Sequence, residues 1–368
     1  MGVIKKIVNN FINRPNFKKY WLNLKNKENL PSDLNSMINF FIETKSYNLT
    51  SKYWEYLNIK HTNYILKNKE KDYGTNIAQH YYTFTSFDEN LSKSALENIK
   101  NDNLNLIEKL FKKHFNLNFS ESINYNLITL VLYLNLKKLD AFDLINKLND
   151  SGYLLFNSPF IEIDGIKITS DKINSLFDYE KINHFKDFKN VDRILEIGAG
   201  LGRTSQAILD LEKIKNYTIC DIPPALYLSY QRLKSTFPEK QIKLLYEIDN
   251  TQDLIKNINS SDISFIMPHQ LDLLNKYNFD LTIAVDCMHE MDKKTIIFYL
   301  NRINKISKIF YFSVWKNTTV PFSGVSNKLG NRLDYFKNDY PLPENWEKTF
   351  EEELVFPSNY ICAGFKVI

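Results

Sequence analysis

In Ile194-Leu-Glu-Ile-Gly-Ala-Gly-Leu-Gly-Arg203 an apolar strand runs into a turn with glycines at 198, 200 and 202, and a helical period follows. Glycine permits positive φ and lets the backbone approach a ligand without a Cβ in the way. The helix that follows points its free N–H groups into the same crevice, at the carboxyl end of the strands, where open α/β sheets bind ligands. A dinucleotide loop spaced G-x-G-x-x-G would carry its third glycine at 203, which here is Arg203. Glu196 stands two positions before Gly198. A carboxylate at that place suits a ligand with an ammonium or sulfonium charge and repels a pyrophosphate.

Outward from this loop, short apolar runs alternate with helical periods, the pattern of a parallel sheet with crossover helices. Strands are predicted at 194–197, 217–220, 263–266, 281–285, 309–314 and 360–368, and helices at 203–211, 225–236 and 293–306. Asp221 closes the second strand, where a carboxylate can accept both hydroxyls of a ribose or cap the next helix. The glycine loop resembles that of class I S-adenosylmethionine-dependent methyltransferases, and the resemblance implies that Met267, His269 and Gln270, after the third strand, cover and edge an adenine ring; Met267 as plain core and His269 as a solvated loop residue are equally compatible. Pro223 and Pro224 follow the second strand, whereas the D/N-P-P-Y motif of base-modifying enzymes follows the fourth.

Past the fourth strand the apolar residues stop at Val285, and Asp286, His289, Glu290 and Asp292 follow in close succession. Histidine, with an ordinary pKa near ~6.5, suits a general base at neutral pH, and Glu290 or Asp286 would orient it and stabilise its charged form. A Mg²⁺ site from Asp286, Glu290 and Asp272 is the alternative, without a third ligand at a diagnostic spacing, so no metal is expected.

The E-x-G-x-G-x-G loop resembles the first motif of class I S-adenosylmethionine-dependent methyltransferases. The Asp221-Ile-Pro string and the His289-Glu290 pair are similar to the D-L-P and H-D-W stretches of plant-type small-molecule O-methyltransferases. Over about residues 155–368 the chain resembles the bacterial sugar O-methyltransferases of polysaccharide gene clusters. They share the loop at 194–203, a D-I/L-P-P-A-L-Y stretch matching 221–233, and an acid–methionine pair matching Glu290-Met291. The resemblance implies an α/β fold: a Rossmann-like seven-stranded methyltransferase domain at 186–368, preceded by a mainly helical region at 1–185 that serves as cap, substrate or dimerisation element. It implies S-adenosyl-L-methionine as cofactor, contacted by Glu196, Gly198, Gly200, Gly202 and Asp221, and methylation of a sugar or glycoconjugate hydroxyl with His289 as base. A small-molecule O- or N-methyltransferase for an aromatic metabolite, or a scaffold that keeps the fold without catalysis, are the alternatives.

Composition narrows the classes further. The 368 residues are 43% hydrophobic and 24% charged, ordinary for a globular protein, and mean hydropathy is −0.36. No apolar run approaches the ~20 residues of a membrane span. The start lacks the apolar core of a signal peptide, and the three cysteines are widely spaced, so a reducing, cytoplasmic setting is expected. Forty-seven basic residues face 43 acidic ones, and only six are Arg, which disfavours nucleic acid as partner. Residues 1–14 read as a basic amphipathic helix that docks on the neighbouring domain or lies on a membrane surface. Helical periods are also read at 104–115 and 141–148, and a β-hairpin at 158–169 with Asp164-Gly165 as its turn. Polar residues at 73–82, together with Trp315, Lys316, Lys328 and Arg332, are candidates for the substrate side. Oligomeric state is left open.

Overall fold

The computed structural model describes residues 16–68, 72–73, 110–114, 117–275, 277–320, 331–354 and 360–368. The helical periods read at 1–14 and, apart from 110–114, at 104–115 lie outside them, as do residues 74–82 and Lys328. The chain opens with α1 (Phe17–Asn23), α2 (Ser32–Glu43), α3 (Lys52–Lys67) and α4 (Phe119–Leu136). Side chains close the N-terminal ends of three of these helices. Asn16 and Ser51 cap α1 and α3, and Asn118 and Glu121 form a reciprocal capping box on α4. The 141–148 period forms a 3₁₀ helix, Asp140–Lys147.

The hairpin β1 (Ile161–Ile163) and β2 (Ile166–Ile168) turns at Asp164 and Gly165, both at positive φ, and feeds α5 (Ser170–Phe185). The alternating region then runs β3 (Arg193–Ile197), α6 (Arg203–Leu211), β4 (Asn216–Cys220), α7 (Ala225–Thr236), β5 (Ile242–Leu244), α8 (Thr251–Asn259), β6 (Ile263–Ile266), β7 (Leu281–Val285), α9 (Lys293–Ile306) and β8 (Ile309–Trp315). A small hairpin of β9 (Asn317–Val320) and β10 (Asn331–Asp334) precedes β11 (Glu347–Glu353) and β12 (Tyr360–Lys366).

The central sheet has the order β11-β12-β8-β7-β3-β4-β6-β5. Its strands pair in parallel from β8 to β5, and β12 joins antiparallel between β8 and β11. This is a mixed, mostly parallel α/β sheet behind a helical N-terminal region. It holds eight strands where seven were expected. Two of the eight fall outside the spans read from sequence, the edge strands Ile242–Leu244 and Glu347–Glu353; the first is three half-buried residues long, too short to carry a period, and the second is mostly exposed. Strands β4, β6 and β7 are buried at every position, as a sheet covered on both faces requires.

Two apolar layers sandwich the sheet. One joins Ile194, Tyr217 and Ile283 to Leu226 and Leu233 of α7 and to Leu34, Met37 and Phe41 of α2. The other joins Leu195, Ile266 and Ala284 to Leu254 of α8 and Leu300 and Ile303 of α9. The N-terminal helices therefore share a core with the sheet. Among the described residues no helix is long and apolar enough to cross a membrane.

Candidate active-site cleft

A cleft of about 980 Å³, counted with its open mouth, lies at the carboxyl ends of β3, β4 and β7. The break between β3 and α6 opens it. Gly198, Gly200 and Gly202 all take positive φ (71°, 59° and 74°), so the backbone reverses without β-carbons filling the crevice. At Gly198 the need is steric as well, because a Cβ there would stand 2.6 Å from the Cβ of Cys287. Gly202 serves differently. It is the left-handed N-cap of α6 and is not among the residues that line the cleft.

Two carboxylates lie on the glycine-loop side. Glu196 is 2% exposed and accepts a hydrogen bond from the Tyr217 hydroxyl at 2.9 Å. Burial pushes its pKa up to about 7. Asp221 accepts the Gly200 N–H on Oδ2 at 2.8 Å and the Ile222 N–H on Oδ1 at 2.7 Å. Burial raises its carboxyl to about 7 against the pull of these two donors. Each oxygen keeps a lone pair for a further donor.

The opposite wall follows β7. Asp286 is a non-glycine residue at φ 61°, a strained conformation that turns the chain sharply at the strand end. Several groups hold it there: the Tyr360 hydroxyl at 2.5 Å, the Arg203 guanidinium at 3.7 Å, and the His289 Nε2 at 3.7 Å. Arg203 is also paired with Asp178 of α5, so this lining cation is held between two carboxylates. Glu290 lines the cleft and is 8% exposed; burial, with Asp286 nearby, pushes its pKa up to about 8.

Several expected residues stand elsewhere. His289 does not line the cleft. It is 4% exposed and stacks on Trp315 at 5.5 Å; its Nδ1 has no hydrogen-bond partner among the described residues, and burial lowers its pKa. Met267 is fully buried in the core and also stands off the cleft lining. Gln270 is committed to the backbone: its amide N–H₂ donates to Leu245 and Ile248, and its oxygen accepts from Met267. His269 shares a hydrogen bond with Ser46 of the N-terminal region at 2.9 Å and sits beside Phe40. Burial lowers its pKa to about 4. Gln270 and His269 brace the β6 loop and are not brought to the cleft. Asp272 is half-exposed and paired with Arg302, away from Asp286 and Glu290. Lys316 is paired with Glu353 at 2.8 Å.

The wall that sequence reading missed is N-terminal. Leu49, Thr50, Ser51, Trp54 and Leu57, from the turn before α3 and its first two turns, line the cleft opposite the glycine loop. The Thr50 hydroxyl is buried without a hydrogen-bond partner among the described residues. Met291 and Tyr299 complete the lining near β7. No local motif marks the Leu49–Leu57 stretch as a site; only tertiary packing places it there.

The donor set fits an adenosyl ligand carrying a sulfonium and an ammonium. The cradle is free of β-carbons at 198 and 200, Asp221 presents two acceptor oxygens, and Glu196 adds a second carboxyl. No protein-family model matches the chain, and no curated protein matches it by sequence. Solved structures similar to it include that of Thermoplasma acidophilum 1320, at 11% identity over 62% of this chain and 97% of that one, TM-score 0.33. The mitomycin 7-O-methyltransferase MmcR is similar at 11% identity over 54% of this chain and 56% of its own, TM-score 0.33. PigF with SAH is similar at 14% identity over 54% and 57%, TM-score 0.34. The chain thus spans little more than half the length of the latter two.

Proposed function

We propose that this protein is a methyltransferase that uses S-adenosyl-L-methionine to methylate a hydroxyl of a sugar or sugar-linked small molecule. One observation carries the reading: a single cleft brings Gly198 and Gly200 of the glycine loop, Glu196 and Asp221 together with the acidic pair Asp286 and Glu290. The cofactor, when bound, supplies a methyl group activated on a sulfonium. Glu196, the loop at 198–200 and Asp221 bind and orient it. Helix α3 and the turn before it close the opposite side and exclude water.

The acceptor's proton needs a base in the cleft. Glu290 lines it, and Oε1 has no protein partner among the described residues. A carboxyl titrating near 8 is matched to proton abstraction near neutral pH. The base assignment therefore passes from His289, packed behind Asp286, to Glu290. The buried, unpartnered Thr50 hydroxyl and the Asp286 carboxylate support a hydroxylated acceptor. An aromatic acceptor is the second reading, supported by Trp54, Leu57 and Met291 in the same lining.

The test is a thermal-shift titration with S-adenosylhomocysteine and, separately, NAD⁺. At a hundredfold excess over Kd the former should stabilise by ~2.7 kcal/mol and the latter not at all. Absence of any shift would favour a scaffold without catalysis. Labelled methyl transfer to a panel of nucleotide sugars against a panel of catechols then separates the two acceptor classes.

A further inference from the structure

Glu290 is bound by a residue 236 positions away in sequence: the indole N–H of Trp54 donates to Oε2 at 2.7 Å. Trp54 is not loosely held. Ser51 Oγ accepts its backbone N–H at 3.3 Å, capping α3, and Glu55 in the next position accepts the N–H of Phe17 from α1 at 3.0 Å. Its ring meets Tyr53 at 6.3 Å and His61 at 6.5 Å, both near edge-on. The first turn of α3 is therefore anchored to its own cap and to α1, and it presents one donor across the cleft.

Around the Glu290 carboxyl stand Asp286 and Cys287 from the same loop, Asp221 from the end of β4, and Tyr53 beside Trp54 on α3. Asp286 and Asp221 both disfavour its ionised form, and Trp54 is the described hydrogen-bond donor that favours it. We propose that Trp54 is a positioning residue: it pins Oε2 of Glu290 from the N-terminal wall, fixes the carboxylate plane, and leaves Oε1 as the atom offered to the acceptor hydroxyl. The proton of that hydroxyl passes to Oε1 while the acceptor oxygen bonds to the methyl carbon and the carbon–sulfur bond of the cofactor's sulfonium breaks, its electron pair staying on sulfur as a neutral thioether. The proposal rests on the methyltransferase reading. It makes the acid–base group of the α/β sheet dependent on the helical region that precedes it.

The experiment is a ¹³C-carboxyl NMR titration of the full-length protein, with the Glu290 resonance assigned by its loss in Glu290→Gln. Trp54→Phe keeps an aromatic ring and deletes the N–H; replacing Trp54 by benzothienylalanine keeps the bicyclic shape as well and serves if the phenylalanine variant does not fold. Loss of the donor should raise the Glu290 midpoint by about one pH unit, a tenfold gain in proton affinity. A midpoint within 0.2 units of wild type in the folded variant overturns the proposal and reduces Trp54 to packing. S-adenosylhomocysteine affinity, measured by calorimetry on the same samples, reports on the methyltransferase reading separately: wild-type protein that fails to bind it sinks that reading, whatever the midpoint does.

Discussion

Gly200 donates its backbone N–H to Oδ2 of Asp221 at 2.8 Å, which joins the loop after β3 to the acid at the end of β4. The two sequence features read as separate signals are one structural unit. Because Oδ1 is likewise occupied by the Ile222 N–H, the carboxylate cannot rotate away from the cleft without losing two donors.

Replacing Asp221 by Asn sets an amide N–H₂ against one of these backbone donors and removes the charge. Hydrogen bonds to charged groups contribute about 1.5–3 kcal/mol, so the affinity for S-adenosylhomocysteine should fall by roughly tenfold or more. Isothermal titration calorimetry reads this directly. An affinity within twofold of wild type would take Asp221 out of the ligand site.

Gly198→Ala should destabilise the fold and weaken ligand binding together. The new methyl meets Cys287 Cβ at 2.6 Å, and φ stays at +71°, where L-residues are disfavoured by roughly 1–2 kcal/mol. The double variant with Cys287→Ala keeps the offending Cβ and should recover nothing, whereas Cys287→Gly should recover the steric part only. Thermal melts of the three variants check the order; full rescue by Cys287→Ala would mean that the sulfur, 2.9 Å away, is the obstacle.

Much of this architecture was legible in the chain itself. The parallel core strands, the three crossover helices at 203–211, 225–236 and 293–306, and the turn at Asp164-Gly165 follow from periodicity and turn chemistry. The glycine loop was legible because its positive-φ backbone demands glycine at particular spacings, and the strand ends that carry Glu196 and Asp221 open into the same cleft. What was not legible depends on long-range contact. Trp54 reaches Glu290, Tyr217 binds Glu196, and Arg203 bridges Asp178 and Asp286, and nothing in local spacing encodes such pairs. Gln270 illustrates the reverse error. Its position after β6 drew attention to an adenine edge, but a fully buried amide must satisfy its own donors and acceptor, and the nearby backbone does so.

Arg232 of α7 and Asp171 of α5 form a buried ion pair at 2.8 Å, with side chains 4% and 5% exposed. The same guanidinium donates to Gln206 of α6 and lies 4.6 Å from the Tyr153 ring centroid, so it ties three helices together at the edge of the cleft, which Asp171 lines. Removing one partner strands the other charge out of water. Arg232→Ala should therefore cost about 3–5 kcal/mol, and the double variant Arg232→Met with Asp171→Leu should cost markedly less. Urea denaturation of both variants tests the ordering; an Arg232→Ala cost under about 1 kcal/mol would show that water reaches Asp171.

Stability and activity should respond to pH in opposite directions through Glu290. Its folded pKa of about 8 lies above the value of ~4.3 expected in the unfolded chain. Between those limits the folded state keeps a proton that the unfolded state has released, so the favourable contribution is full below ~4.3 and is lost as pH rises towards 8. Glu196 and Asp221, both raised to about 7, act with the same sign but are largely spent by that pH. The interval from 7 to 8 thus belongs mainly to Glu290, and Glu290→Gln should flatten the fall in melting temperature across it. The proposed mechanism needs the ionised carboxylate, so turnover should instead rise through the same interval in the wild type. In the glutamine variant it should drop by ~10²-fold or more, the usual scale for loss of a general base, with no remaining limb near 8. His289→Ala provides the contrast: a loss as large as that of Glu290→Gln, with the limb near 8 abolished, would return the role of base to the histidine.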